Sequence, residues 1–125
     1  MKYLLDVNLL LASIWNDHPQ HAKAFAWLSG RSILICPIGE LGFLRISSNP
    51  KAINAPMEKA KELLKRFVEE RRAEWIPDNL PALGCGAKKS GQVTDLYLAE
   101  LAVRHGAKLA TFDRAIIHPA AELCA

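Results

Sequence analysis

Short apolar strands alternating with helices predict an α/β fold with a mostly parallel sheet. Three observations carry that expectation. Residues 2–5, 32–36 and 108–112 are short, nearly continuous apolar runs, the pattern of strands covered on both faces. The segments between them show helical periodicity and turn signals. Finally, 125 residues, of which 50% are hydrophobic and 23% charged, suit one core and a single domain over residues 1–125.

Residues 2–5 read as the first strand, ending at Asp6, and residues 7–14 as an apolar helix that follows almost without a loop. A carboxylate therefore sits in a strand-to-helix turn. Asp17, His18 and Pro19 resemble a helix start, since Pro suits the first helical position, and Gly30 supplies its stop. Ala22, Phe25 and Ala26 mark the inward face. After the strand at 32–36, Pro37 opens a helix, PIGELGFLRI, with Glu40 in its first turns.

A break from Asn49 to Pro56 precedes the clearest amphipathic helix in the chain. Met57, Ala60, Leu63, Leu64, Phe67 and Val68 recur at i, i+3, i+4 opposite Lys59, Lys61, Glu62, Lys65 and Arg66. Residues 73–76 read as a short strand stopped by Pro77. Residues 78–91, rich in Gly and Pro, read as a mobile loop carrying Lys88 and Lys89.

The next stretch, GQVTDLYLAELAVRHGAKLATFDR, organises the chain. Val93, Leu96, Tyr97, Leu98, Ala99, Leu101, Ala102 and Val103 make a helix apolar almost all round, with Glu100 and Arg104 as an i,i+4 pair on a narrow exposed stripe. Gly106 stands where a left-handed residue ends a helix, and 108–112 is the returning strand. Asp95 opens the helix and Asp113 closes the strand. A helix of about 12 residues spans roughly 18 Å and a strand of about 5 roughly 16 Å, so a tight return brings both aspartates to one edge. Residues 116–125 read as one helical turn and a weak edge strand around Glu122 and Leu123.

Composition excludes some classes. Asp6 and Asn8 interrupt the amino-terminal apolar run that a secretion signal requires, and no stretch is long enough to span a membrane. Cys36, Cys85 and Cys124 are odd in number and widely spaced, which points to a reduced, cytoplasmic setting. The formal charge is +3; with four acids set aside, 16 Lys and Arg face nine acids, leaving +7. A basic surface around an acidic pocket suits a polyanion held by its phosphates, though an ordinary solvated surface has the same balance.

In a parallel sheet, the carboxyl ends of strands and the amino ends of the following helices share the ligand-binding edge. Asp6, Glu40, Asp95 and Asp113 all fall on that edge. Each also has a structural explanation, because Asp near a helix start caps free N–H groups or favours the helix dipole. Four together are harder to explain as caps: like charges near 4 Å repel by about 4 kcal/mol at an effective dielectric of 20. A cation would offset that repulsion, and hard oxygen donors without Cys or His suit Mg²⁺ or Mn²⁺.

The segments LLDVNLLL, GELGFLR, VTDLYLAELA and LATFDR resemble, in order and spacing, the PIN-domain ribonucleases, and closely the VapC-type toxins of toxin-antitoxin pairs. The resemblance covers nearly the whole chain. It implies a PIN-like three-layer sandwich with a four- or five-stranded sheet, and a metal-dependent endoribonuclease. Asp6, Glu40, Asp95 and Asp113 would be its acidic metal-binding quartet, with Asn8 and Thr111 as supporting polar residues. Water would attack a backbone phosphodiester while the cation neutralises developing charge, with no side-chain nucleophile. A cognate antitoxin protein and a homodimer are implied as partners, besides the RNA substrate.

Thr111 lies two residues before Asp113, so a strand would project both to one side; β propensity also accounts for a Thr there. Arg45 matches a basic position after the second acid, yet five positions place it about 140° around a helix from Glu40. Phosphate contact and plain surface charge both remain open for Arg45, as they do for Lys88 and Lys89. His18 and His21 lack a third ligand and read as surface residues. His105 suits the carboxyl-end dipole of its helix, His118 has no visible partner, and Trp15, Trp27 and Trp75 read as core. The competing functions are a phosphate-accepting receiver-like module, which usually places adjacent acids after the first strand, a nuclease of structured DNA, and a non-catalytic RNA-binding or scaffold domain whose acids are caps.

Overall fold

The computed structural model describes residues 1–124. The chain runs β1 (Lys2–Leu5), α1 (Val7–Ile14), α2 (His21–Leu28), β2 (Ser32–Ile35), α3 (Pro37–Ser48), α4 (Met57–Arg71), β3 (Glu74–Trp75), α5 (Val93–Arg104), β4 (Lys108–Thr111) and β5 (Ala121–Leu123). The five strands form one sheet in the order β3-β2-β1-β4-β5. Every pairing is parallel.

Strand alternation sorts the core into two layers. Tyr3, Leu5, Ile33, Ile35 and Ala110 face one way, beneath α1, α2, α3 and α4, where Leu10, Leu28, Phe43 and Phe67 meet them. Leu4, Leu34 and Leu109 face the other way, against Leu98, Leu101 and Ala102 of α5. The result is the expected three-layer α/β sandwich, with five parallel strands.

Local chemistry explains where most elements begin and end. Pro37 stands at the start of α3, and Gly106 follows α5 with φ +68°. Among the described residues, no helix is long and apolar enough to cross a membrane.

Several expectations need correction. The second helix starts at His21 rather than Pro19, because turns closed by His18 N–H to Trp15 O (3.1 Å) and His21 N–H to His18 O (3.0 Å) occupy the approach. Its buried residues are Ala24 and Leu28, whereas Ala22, Phe25 and Ala26 are exposed. Val93 and Val103 of α5 are also exposed, so that helix has a wider open face than its apolar sequence suggests. Glu100 meets His118 Nε2 at 2.8 Å rather than pairing with Arg104. His118 therefore has a partner, and the helical turn expected after residue 116 is replaced by non-helical turns. Trp15 and Trp27 pack against the larger core layer, but Trp75 is 54% exposed.

Candidate functional site

The strand order creates the site. From β1 the chain builds outward to β2 and β3, then returns to place β4 on the other flank of β1. The boundary between β1 and β4 is a switch point, where a crevice opens beyond the carboxyl ends of the strands. Asp6 follows β1 directly, while Thr111 ends β4 two residues before Asp113.

Asp6 is 2% exposed and held from several directions. Its N–H donates to Ala110 O at 3.1 Å, continuing the β1–β4 ladder. Its Oδ1 accepts the Leu9 N–H at 2.7 Å, capping α1, and its Oδ2 accepts a short hydrogen bond from the Thr111 hydroxyl. The same hydroxyl oxygen accepts the Asp113 N–H at 2.9 Å. Asp113 in turn accepts the Ala115 N–H at 2.8 Å. Thr111 thus ties the end of β1 to the loop after β4 through one side chain.

Asp95 enters from the first turn of α5. It is half-buried, and its carboxylate has no hydrogen-bond partner among the described residues. Asp95 and Asp113 line one cavity of about 100 Å³, with Gln92, Leu96, Ile116 and Ile117 among its walls. Burial pushes the Asp6 carboxyl up from 3.8 to about 6; the Thr111 and Leu9 hydrogen bonds oppose this, and the charges of Asp95 and Asp113 add to it. Burial, followed by the charge of Asp113, raises Asp95 as well. Three carboxylates therefore share one electrostatic environment. Among the described residues, none of the three forms an ion pair with Lys or Arg.

Glu40 enters from the first turn of α3, beyond the end of β2. Ile38 packs into the α5-side core, and two residues further on, about 200° around the helix, Glu40 turns towards α4. There it accepts the Trp75 indole N–H at 3.1 Å. Asn8 and Arg45 are exposed, as are Lys88 and Lys89 on the loop before α5. The Lys88 N–H donates to Gln92 Oε1 at 3.0 Å, which brings that loop beside the Asp95 cavity.

Among the described residues, no three His, Cys, Asp or Glu side chains stand close enough to hold one ion directly. The donor chemistry nevertheless fits Mg²⁺, which keeps several waters and is commonly held through one or two carboxylates. Asp95, without a partner, and Asp113, on the same cavity, supply such a pair. Sequence reasoning missed the open indole of Trp75 and the Glu100–His118 contact. The available signal for the first was Pro77, which stops the strand read at residues 73–76 close after Trp75; the structure keeps only Glu74–Trp75 as strand, with little sheet to cover its end.

The sheet order and the acidic switch-point edge define a class of α/β domain with a carboxylate site beyond its central strands. The PIN domain family model matches residues 3–122. The chain belongs to the PIN domain family. It is 37% identical to Ribonuclease VapC44 of Mycobacterium tuberculosis, over 93% of this chain and 89% of the relative. It is 34% identical to Ribonuclease VapC38 of the same organism, over 90% of this chain and 86% of the relative. Among solved structures, VapBC2 from Rickettsia felis bound to a DNA fragment from its promoter superposes with a TM-score of 0.61 at 19% identity. That match covers 92% of this chain and 90% of the other and extends the likeness of fold.

Proposed function

We propose that this protein is a VapC-type endoribonuclease, the toxin of a toxin-antitoxin pair, with Asp6, Asp95 and Asp113 forming the acidic centre. The observation that carries the site assignment is the grouping of three carboxylates without a cationic partner at the switch point of the sheet. Mg²⁺ or Mn²⁺ bound there would neutralise charge developing on a scissile phosphate and lower the pKa of a water. Asp6 is the fixed member, locked by the Leu9 N–H and the Thr111 hydroxyl. Asp95 is the free member, with lone pairs available for the ion or its waters. Thr111 positions Asp6 against the Asp113 loop, while the exposed Lys88 and Lys89 would hold flanking phosphates. Glu40 belongs to the wider acidic edge through its contact with Trp75, and Asn8 and Arg45 remain candidates for substrate contact. A cognate antitoxin and a second copy of the chain are the proposed protein partners.

A second reading has an observation in its favour. Asp6 and Asp113 do accept backbone N–H groups, as caps in a non-catalytic RNA-binding or scaffold domain would. Asp95 separates the two readings because it caps nothing. Purified protein, freed of any antitoxin, is incubated with a mixed structured and single-stranded RNA pool in Mg²⁺ or Mn²⁺, beside a chelator control. Metal-dependent cleavage is expected, with Asp95→Asn reducing it on the order of a hundredfold while leaving the fold intact. Failure to bind a divalent cation by calorimetry would return the three aspartates to a structural role.

A further inference from the structure

Trp75 is the exception on the carboxyl edge. It closes β3 in register with Ile35, and Leu34 pairs with Leu4 one level below. Side chains at the same level project to the same face, so Trp75 follows Ile35 towards the α1–α4 side. Ile35 fills the core there, but Trp75, on the outermost strand, is left 54% exposed. Tryptophan is usually well buried, so packing does not explain it.

The ring is nevertheless fixed. Its indole N–H donates to Glu40 Oε1 at 3.1 Å, which holds one edge while much of the ring stays open to solvent. Among the described residues, no aromatic ring or cationic group stacks on it. Glu40 also lines a groove between α3 and α4 whose rim carries Lys61 and Lys65, one helical turn apart. Lys61 and Lys65 share that groove with Glu69, so the flat aromatic surface of Trp75 is the feature that suits a single-stranded nucleic acid, whose bases stack on such a ring. From β3 to β1 is two strand spacings, about 10 Å along the edge. A strand with its scissile phosphate at Asp6, Asp95 and Asp113 that crosses the carboxyl edge from the α5 side to the α1–α4 side would carry a neighbouring nucleotide past Trp75.

We propose that Trp75 is a nucleobase-stacking platform that selects unpaired RNA, with Glu40 as its positioning residue. This inference rests on the ribonuclease reading. Bases in a duplex are already stacked on one another and offer no free face.

The test uses the full chain and a fluorescently labelled RNA oligonucleotide of mixed sequence in EDTA, where binding is measured without metal-dependent cleavage. Trp75→Ala should weaken single-strand binding between about fivefold and about 150-fold, Trp75→Phe should retain most of it, and duplex binding should not change. Glu40→Ala should bind less well than Glu40→Gln, because both remove the charge but only Gln still accepts from the indole. In Mg²⁺, Trp75→Ala should raise KM and leave kcat within about twofold, as loss of uniform binding does. Equal binding by wild type and Trp75→Ala would overturn the proposal, as would no single-strand binding by wild type or equal loss of duplex binding. A shift from dimer to monomer in Trp75→Ala with unchanged RNA affinity would place the indole in a subunit interface and also overturn it. Wild-type protein that binds single strands through Trp75 but cleaves nothing would remove the nuclease reading and keep the platform. Cleavage with unchanged KM in Trp75→Ala would do the reverse.

Discussion

Asp6 shows how one side chain serves folding at the centre of the proposed site. Its carboxylate caps α1 and receives the Thr111 hydroxyl, yet burial still lifts its pKa from 3.8 to about 6. The folded protein holds this proton more tightly than the unfolded chain. Its contribution to stability is complete below about pH 3.8 and is lost as pH rises through about 6. The loss amounts to about 3 kcal/mol once the group is ionised. Urea unfolding in EDTA should show this as a difference between wild type and Asp6→Asn that widens from pH 4 to pH 7. The Asn variant, which keeps the cap oxygen, should be the more stable at pH 7. A difference that stays constant with pH would show that Asp6 does not titrate in this range. The position of Asp6 after a strand was legible in the sequence. Its bond to Thr111, across 105 residues, was not, because spacing along the chain shows which side a residue favours and not what stands opposite.

At the scale of elements, α1 and α3 meet where Gly42 faces Val7. A Cβ added at Gly42 would lie 2.6 Å from Val7 Cγ2 and 3.0 Å from Cγ1. A β-branched Val has few rotamers with which to move aside. Gly42→Ala should therefore cost about 1–3 kcal/mol despite a helix-propensity gain of about 1 kcal/mol. Because Val7 follows Asp6 directly, cleavage should fall with stability. Denaturation of Gly42→Ala and of Val7→Ala/Gly42→Ala tests this: the double variant should recover part of the loss, whereas additive losses would point to a different contact. Elements with strong periodicity, such as α4, were readable without any partner. The start of α2 was not, since Pro19 suits a helix start but turns already occupy the backbone between Trp15 and His21. Glu100 was misassigned for a related reason: Arg104 is its neighbour on the helix, but His118 is brought to it from the loop before β5.

For the whole molecule, an ion held by the three edge aspartates would make ion binding and folding one equilibrium. A cation that binds only the folded chain should add about 2.7 kcal/mol at a hundred times its dissociation constant. Thermal unfolding should show a higher Tm in Mg²⁺ than in a monovalent salt of equal ionic strength, with the gain reduced in Asp95→Asn. An equal Tm in both salts would show that the edge holds no specific divalent ion. The sequence by itself determined the order of strands and helices and the positions of the acids at their ends, because capping, periodicity and turn chemistry act over a few residues. Tertiary structure alone decided that β1 and β4 lie side by side, that Thr111 bridges Asp6 and Asp113, and that Glu40 accepts the indole N–H of an exposed Trp75. These features depend on which strands pair and which strand is left at the edge, and residues far apart in the chain settle both.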